Sequence, residues 1–113
     1  MKVLFDQGTP VPLRRALAGH AVETAHERGW SQLQNGELIG AAESTGFDVL
    51  VTTDRNLKYQ QNLVGRKLAI VVLMSTSWPR IARVLPEVAA VVDAAAPGTY
   101  HEVQIPGTIQ RPG

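Results

Sequence analysis

The sequence contains no cysteine among its 113 residues. This absence excludes disulfide frameworks and every site built on a thiolate, including zinc fingers, iron–sulfur clusters and cysteine nucleophiles. Long apolar runs are also lacking, because residues 68–74 form a run of only seven, whereas a membrane-spanning helix needs about 20. Asp6 interrupts the first apolar run too early for a secretory signal. These absences lead us to expect a cytoplasmic protein that does not cross a membrane.

An excess of charge of either sign is lacking as well. Eleven Lys and Arg residues stand against ten Asp and Glu residues, which gives a formal net charge of +1. Such a balance supplies no strong field for a nucleic-acid backbone, so any contact with phosphate must be local. Arg55 and Lys58 belong to a short basic segment and are the candidates for that contact. The alternative interpretation is that this segment is an ordinary solvated surface.

What the chain does contain is typical of one globular domain. Apolar residues make up 44% of the sequence and charged residues 19%, which are values close to those of globular proteins. A chain of this length fits within one domain of ordinary size. Two prolines and two glycines fall among the last eight residues. We therefore predict one domain over residues 1–105 and a flexible tail over residues 106–113.

The apolar pattern predicts strands and helices in alternation. Apolar runs and alternating residues predict strands over residues 3–5, 20–25, 47–52, 68–73 and 100–105, the last at a sheet edge. Helical spacing predicts helices after Pro10, over residues 35–45, within residues 55–64 and over residues 77–95. Thr9, Asn35 and Ser77 are each placed to cap the following helix, and Pro86 predicts a kink or a break. This alternation is typical of an α/β fold with a mostly parallel sheet and helices on both faces.

Three acidic residues are placed to meet at one edge of that sheet. Asp6 follows the first strand, Asp54 follows the third, and Glu37 lies in the first turn of the middle helix. The carboxyl ends of parallel strands share one edge, where open α/β sheets bind their ligands. Clustered carboxylates repel one another unless a cation neutralises them, so the three acids predict a site for Mg²⁺ or Mn²⁺. A water polarised by such an ion can attack a phosphodiester.

Each acid also has an ordinary structural explanation. Asp6 is placed to form a turn, Glu37 to complement the dipole of its helix, and Asp54 to cap the helix that follows it. The placement of three acids at one edge, in a chain with only ten acids, favours a metal site over three unrelated local roles. The metal site is therefore a hypothesis that depends on their proximity.

Three short segments resemble the PIN-like superfamily. They are residues 5–7 (Phe-Asp-Gln) after the first strand, residues 35–39 (Asn-Gly-Glu-Leu-Ile) in a helix, and residues 51–57 (Val-Thr-Thr-Asp-Arg-Asn-Leu) after a later strand. The branch that they resemble most comprises short proteins often found in bacterial toxin–antitoxin contexts. The resemblance spans roughly residues 1–73, about two thirds of the chain. It implies an α/β/α sandwich with a parallel sheet and, in active members, a Mg²⁺- or Mn²⁺-dependent ribonuclease.

The resemblance also implies roles for individual residues. By position, Asp6, Glu37 and Asp54 match the catalytic acids that hold the metal ion, and the Thr52 hydroxyl supports them. The implied partners are RNA and, for a toxin, an antitoxin protein.

Two positions depart from the PIN-like pattern. Relatives commonly carry acids where this chain has Gln7 and Asn56, and these amides keep an oxygen ligand but remove a charge. One ion can still bind through three carboxylates, whereas a second ion is not expected to be held tightly. The departures favour a second hypothesis, in which the chain is a catalytically degenerate module that binds a protein or a nucleic acid without cleaving it.

A third hypothesis is a phosphoacceptor receiver domain. In that case Asp54 would be phosphorylated and Asp6 would hold Mg²⁺. A receiver needs a second acid beside the first and a lysine after the following strand. Gln7 occupies the former place, and no lysine follows Lys67.

The end of the chain bears on its oligomeric state. The alternating segment at residues 100–105 predicts an exposed strand edge, and the helix before it is strongly apolar. Exposed edges and apolar faces favour pairing across a two-fold axis. We therefore expect a homodimer.

Overall fold

One sheet of five parallel strands organises the described part of the chain. The computed structural model describes residues 1–60 and 63–106. Its strands are β1 (Lys2–Phe5), β2 (Ala21–Thr24), β3 (Val49–Thr52), β4 (Ala69–Leu73) and β5 (Tyr100–Val103). Their order across the sheet is β2-β1-β3-β4-β5, and each neighbouring pair is parallel. The predicted strands are confirmed, and β5 lies at an edge as expected.

Helices cover both faces of this sheet. The α-helices are α1 (Asn35–Thr45), α2 (Leu57–Gln60), α3 (Trp78–Ile81) and α4 (Leu85–Ala94), and 3₁₀ helices span Val11–Leu17 and Ala82–Val84. Helices α1 and α2 pack on one face through side chains that include Leu38 and Leu57. The first 3₁₀ helix, α3 and α4 pack on the other face through side chains that include Leu13, Ile81 and Val88. The fold is therefore a three-layer α/β/α sandwich, as the sequence predicts.

Strands β3 and β4 are nearly all apolar because helices cover them on both sides. Every residue of both strands is buried. Successive side chains point to opposite faces of a sheet, so Val51 packs with the α4 layer while Leu50 packs with the α1 layer. A strand that is buried on both faces has no need of polar residues, which explains the continuous apolar runs in the sequence.

Pro86 divides the last helical segment as the sequence predicts. Helix α3 has Ser77 as its N-cap and ends at Ile81, and α4 begins at Leu85 with Pro86 in its first turn. Proline lacks an N–H and fixes φ, so it fits the first turn of a helix but not the interior. Two short helices joined by a 3₁₀ turn therefore replace one long helix.

Two predicted helix caps are wrong, because distant partners engage their side chains. Thr9 is 4% exposed, and its hydroxyl donates to the carbonyl of Val51 at 2.9 Å instead of capping the next helix. Asn35 is the first residue of α1, and Gln34 is the N-cap. The side-chain amide of Asn35 donates to Asp54 across the sheet edge.

Part of two predictions falls outside the described residues. Except for Pro106, the tail predicted over residues 106–113 lies outside them. The helix predicted within residues 55–64 is the short α2, and residues 61–62 lie outside the described part as well. Among the helices of the described residues, none is both long enough and apolar enough to cross a bilayer.

Gly98 is required by the turn that precedes β5. Its φ is 75°, and a Cβ at this position would stand 2.8 Å from the carbonyl oxygen of Arg66. Gly98→Ala is expected to lower the free energy of unfolding by about 1–3 kcal/mol, because a side chain is strained in the left-handed region. Gly19→Ala is the matched control, since a Cβ there meets no atom within 4 Å. Urea unfolding measures both variants, and a wild-type midpoint for Gly98→Ala would contradict the prediction.

The strand order places a crevice at the carboxyl edge between β1 and β3. The chain passes from β1 to β2 in one direction, then crosses to β3 and continues in the opposite direction to β4 and β5. Open α/β sheets bind ligands beyond the carboxyl ends of their strands, at the point where this direction reverses. The residues that follow β1 and β3 are therefore the first to consider for function.

Candidate functional site

Asp6 and Asp54 are connected through Thr52. Asp6 follows β1 directly, and Asp54 stands two residues after Thr52, the last residue of β3. The Thr52 hydroxyl donates to Oδ2 of Asp6 at 2.7 Å and accepts the backbone N–H of Asp54 at 3.1 Å. The structure thus brings these residues together at the crevice, and we call Asp6 and Asp54 the acidic pair.

Backbone and amide donors fix the orientation of both carboxylates. Oδ1 of Asp6 accepts the N–H of Gln7 at 2.7 Å, and Oδ1 of Asp54 accepts the N–H of Asn56 at 3.0 Å. Oδ2 of Asp54 accepts the side-chain amide of Asn35, which lies in the first turn of α1. Together with the bond from the β3 threonine, a donor reaches every carboxylate oxygen of the acidic pair.

Glu37 is engaged by the start of its own helix. Its side chain is exposed, and Oε1 accepts the backbone N–H of Gln34 at 3.1 Å, as in a capping box. Within residues 1–60 and 63–106, no group of three His, Asp or Glu side chains is arranged to bind one metal ion. The structure therefore does not join Glu37 to the acidic pair.

Asn35 belongs to the site although its sequence position suggests only a helix cap. Its amide reaches Asp54, which lies 19 residues further along the chain. The Asn35 amide is a neutral donor, so it stabilises the Asp54 carboxylate without adding a charge to the site. A signal for this role exists in the sequence, since Asn35 begins one of the three segments that resemble PIN-like proteins.

Gln7 and Asn56 contribute backbone groups to the site. The N–H of Gln7 binds Asp6 and the N–H of Asn56 binds Asp54, while both side chains are exposed. Acids at these two positions would add two negative charges to the crevice. Because Gln7 and Asn56 are neutral, the carboxylates at the crevice repel one another less than they would with two further acids present. The crevice also has fewer negative charges with which to hold a second ion.

The two predicted phosphate contacts differ in their surroundings. Nζ of Lys58 lies 2.9 Å from Oε2 of Glu102. Hydrogen bonds from Lys58 and Tyr100 hold the pKa of the Glu102 carboxyl below its ordinary value. The charge of Arg55 also lowers the pKa of that carboxyl, but the Arg55 side chain is exposed and forms no ion pair or hydrogen bond with another described residue. Arg55 is therefore better placed than Lys58 to bind an anionic ligand.

Cavities lie on both sides of the acidic pair. One of about 290 Å³ lies on the β2 side and is lined by residues that include Asp6, Gln7 and Arg14. Another of about 400 Å³ lies on the β4 side and is lined by residues that include Thr53 and Arg55. A larger cavity of about 640 Å³ opens at the opposite edge of the sheet and contains none of the predicted site residues. The carboxyl edge is the candidate site, because the acidic pair and the point where the strand order reverses both lie there.

Comparison with known proteins assigns this chain to no family. No protein-family model, curated protein or solved structure matches the chain. The PIN-like resemblance stays a prediction that rests on three short segments. The function has to be inferred from the chemistry of the carboxyl edge.

Proposed function

We propose that this chain is a Mg²⁺- or Mn²⁺-dependent ribonuclease whose metal ion is held by Asp6 and Asp54. The supporting observation is the hydrogen-bonded series Asp6–Thr52–Asp54, in which the Thr52 hydroxyl holds the carboxylate of Asp6 and the backbone of Asp54 together at the crevice between β1 and β3. Through the PIN-like resemblance, the proposal includes RNA as substrate and a toxin role with an antitoxin partner. The proposal also includes a cytoplasmic location, which we expect from the sequence because its first apolar run is too short for a secretory signal and it lacks a long apolar run. The homodimer is part of it because β5 presents an edge.

The donor set fits a hard divalent ion. Each carboxylate oxygen of Asp6 and Asp54 accepts one hydrogen bond, and a carboxylate oxygen has a further lone pair to offer. Mg²⁺ keeps several waters and needs only one or two protein carboxylates, so the acidic pair suffices without a third acid. Glu37 can become a third ligand only by releasing the N–H of Gln34.

The residues of the chain would hold and orient the reacting groups. A metal ion bound by the acidic pair would polarise a phosphoryl oxygen and lower the pKa of a bound water. Thr52 and Asn35 act as positioning residues, because each donates to one Oδ2 of the acidic pair. Such positioning matters for rate, since a misplacement of about 1 Å can reduce it about 100-fold.

The strand order favours the receiver domain as a second candidate. Receiver-type domains also have the order β2-β1-β3-β4-β5. A shared fold does not imply a shared function. Gln7 stands where a receiver has a second acid, and no lysine follows Lys67 in the sequence to bind a phosphoryl group. The ribonuclease is therefore the better supported of the two.

Calorimetric titration with Mn²⁺ tests the proposed function. Wild-type protein is expected to bind the ion, and Asp6→Asn is expected to weaken binding at least about 10–100-fold, the range seen when groups behind a ligand are removed. Asp48→Asn is the control, because it removes one charge at the opposite edge and keeps an oxygen that can accept the N–H of Lys2. No binding by folded wild-type protein would overturn the proposal. Binding of Mn²⁺ without cleavage of RNA would replace the ribonuclease with a non-catalytic binding module.

A further inference from the structure

We infer that the carboxyl edge beside β4 carries a cationic subsite that binds a phosphate group of the RNA strand next to the acidic pair. A cavity of about 400 Å³ lies there, which we call the β4-edge cavity. Its lining includes two arginines and three hydroxyl residues, namely Arg55, Arg80, Thr53, Ser75 and Thr76. The inference rests on the proposed function, because the strand bound here is the strand hydrolysed at the acidic pair.

Separate segments of the chain meet in the β4-edge cavity. Thr53 and Arg55 follow β3, residues 75–76 follow β4, and Arg80 lies on α3. The loops after parallel strands share one edge of the sheet, which explains why these segments are neighbours. Thr53 and Arg55 flank Asp54 in the chain, so the cavity and the acidic pair share one loop.

Both arginines are available to a ligand. The side chains of Arg55 and Arg80 are exposed, and neither side chain forms an ion pair or a hydrogen bond with another described residue. Lys58 lines a neighbouring cavity together with Arg55, but its amine is paired with Glu102. Two like charges that line one cavity are stabilised by an anion bound between them.

The lining chemistry suits a phosphate group. Guanidinium groups bind phosphate through paired hydrogen bonds, and Ser and Thr hydroxyls are common donors to the nucleic-acid backbone. Oγ of Ser75 accepts the N–H of Ser77 and keeps its own proton to donate. The chain has a net charge of only +1, so attraction of a polyanion to an edge that carries two aspartates must come from local cations such as Arg55 and Arg80.

Fluorescence anisotropy with a short, labelled single-stranded RNA in EDTA tests the subsite without any metal chemistry. The double variant Arg55→Gln/Arg80→Gln is expected to bind about tenfold more weakly at low salt. Its salt dependence should also fall, because each phosphate that is neutralised on a single strand contributes about 0.7 to the slope of log K against log salt. The matched control is Arg15→Gln/Lys67→Gln, which removes the same charge from exposed residues outside the β4-edge cavity.

Several outcomes would overturn the inference. Undiminished RNA binding by Arg55→Gln/Arg80→Gln would do so, and so would an equal loss in the control, which would attribute binding to net charge. Binding of inorganic phosphate that needs both arginines, without binding of RNA, would overturn the assignment to a strand. Failure of the proposed function would give a different result. If the protein binds RNA through both arginines but binds no Mn²⁺, the phosphate subsite is supported and the proposed nuclease activity is wrong.

Discussion

Asp54→Asn is expected to reduce RNA hydrolysis by more than about 100-fold while the protein stays folded. Removing groups that only orient a metal ligand already costs about 10–100-fold in affinity or activity, and Asp54 is a proposed ligand itself. The substitution removes the charge that attracts the ion, but the new amide oxygen can still accept the N–H of Asn56. The Asn35 amide can turn so that its oxygen accepts from the new side chain. Cleavage of a labelled single-stranded RNA with Mn²⁺ measures the change.

Asp48→Asn is the matched control for this loss of activity. It removes the same charge just before β3, at the opposite edge, and is expected to leave RNA hydrolysis unchanged. Circular dichroism and urea unfolding establish that both variants are folded. Hydrolysis by Asp54→Asn at the wild-type rate would remove Asp54 from the metal site. Equal losses in both variants would attribute the effect to net charge.

The elements of this fold could be predicted where one local rule decides them. β4 must be apolar throughout because it is buried on both faces, and its sequence shows this directly. Pro86 disrupts the interior of a helix, so an interruption between α3 and α4 could be predicted from one residue. The interruption at Pro86 depends only on residues that are close in the sequence, and the apolar character of β4 follows from the burial of the whole strand.

The caps at Thr9 and Asn35 could not be predicted from local pattern. Both residue types suit an N-cap, yet each has a partner elsewhere in the fold. The partner of Thr9 is the Val51 carbonyl, 42 residues away, and the partner of Asn35 is Asp54, 19 residues away. Only the assembled sheet edge brings these acceptors within reach, so the competition between local and distant partners is decided by tertiary structure.

The residues of the candidate site also fall into two groups, those whose position the sequence could predict and those whose position it could not. Asp6 and Asp54 each follow a parallel strand, so strand topology alone places them at one edge. The position of the Glu37 carboxylate depends on the hydrogen bonds at the N-terminus of α1, where it accepts the N–H of Gln34. The sequence did not show that this bond would hold it away from the acidic pair. Arg80 reaches the β4-edge cavity because α3 lies over that edge, which no motif in the sequence indicates. The PIN-like family, the metal ion, the RNA substrate and the homodimer stay predictions.

Thr52→Val is expected to weaken Mn²⁺ binding by about 10–100-fold. Thr52 is 1% exposed, and valine has nearly the same shape, so packing around β3 is retained. The substitution removes the donor to Oδ2 of Asp6 and the acceptor for the N–H of Asp54. The free energy of unfolding should also fall by about 1–3 kcal/mol, because a part-buried N–H is left without its partner.

Thr52→Ser separates the effect of the hydroxyl from that of the methyl group. Serine keeps both hydrogen bonds, so Mn²⁺ affinity should stay near the wild-type value while the free energy of unfolding falls by about 1 kcal/mol. Thr45→Val is a second control, because the Thr45 hydroxyl donates to the carbonyl of Ala41 within α1, outside the site. Calorimetry and urea unfolding measure the two quantities in all three variants. If Thr52→Val binds Mn²⁺ as tightly as Thr52→Ser, the hydroxyl does not position Asp6, and the carboxylate must be held by its backbone donor alone.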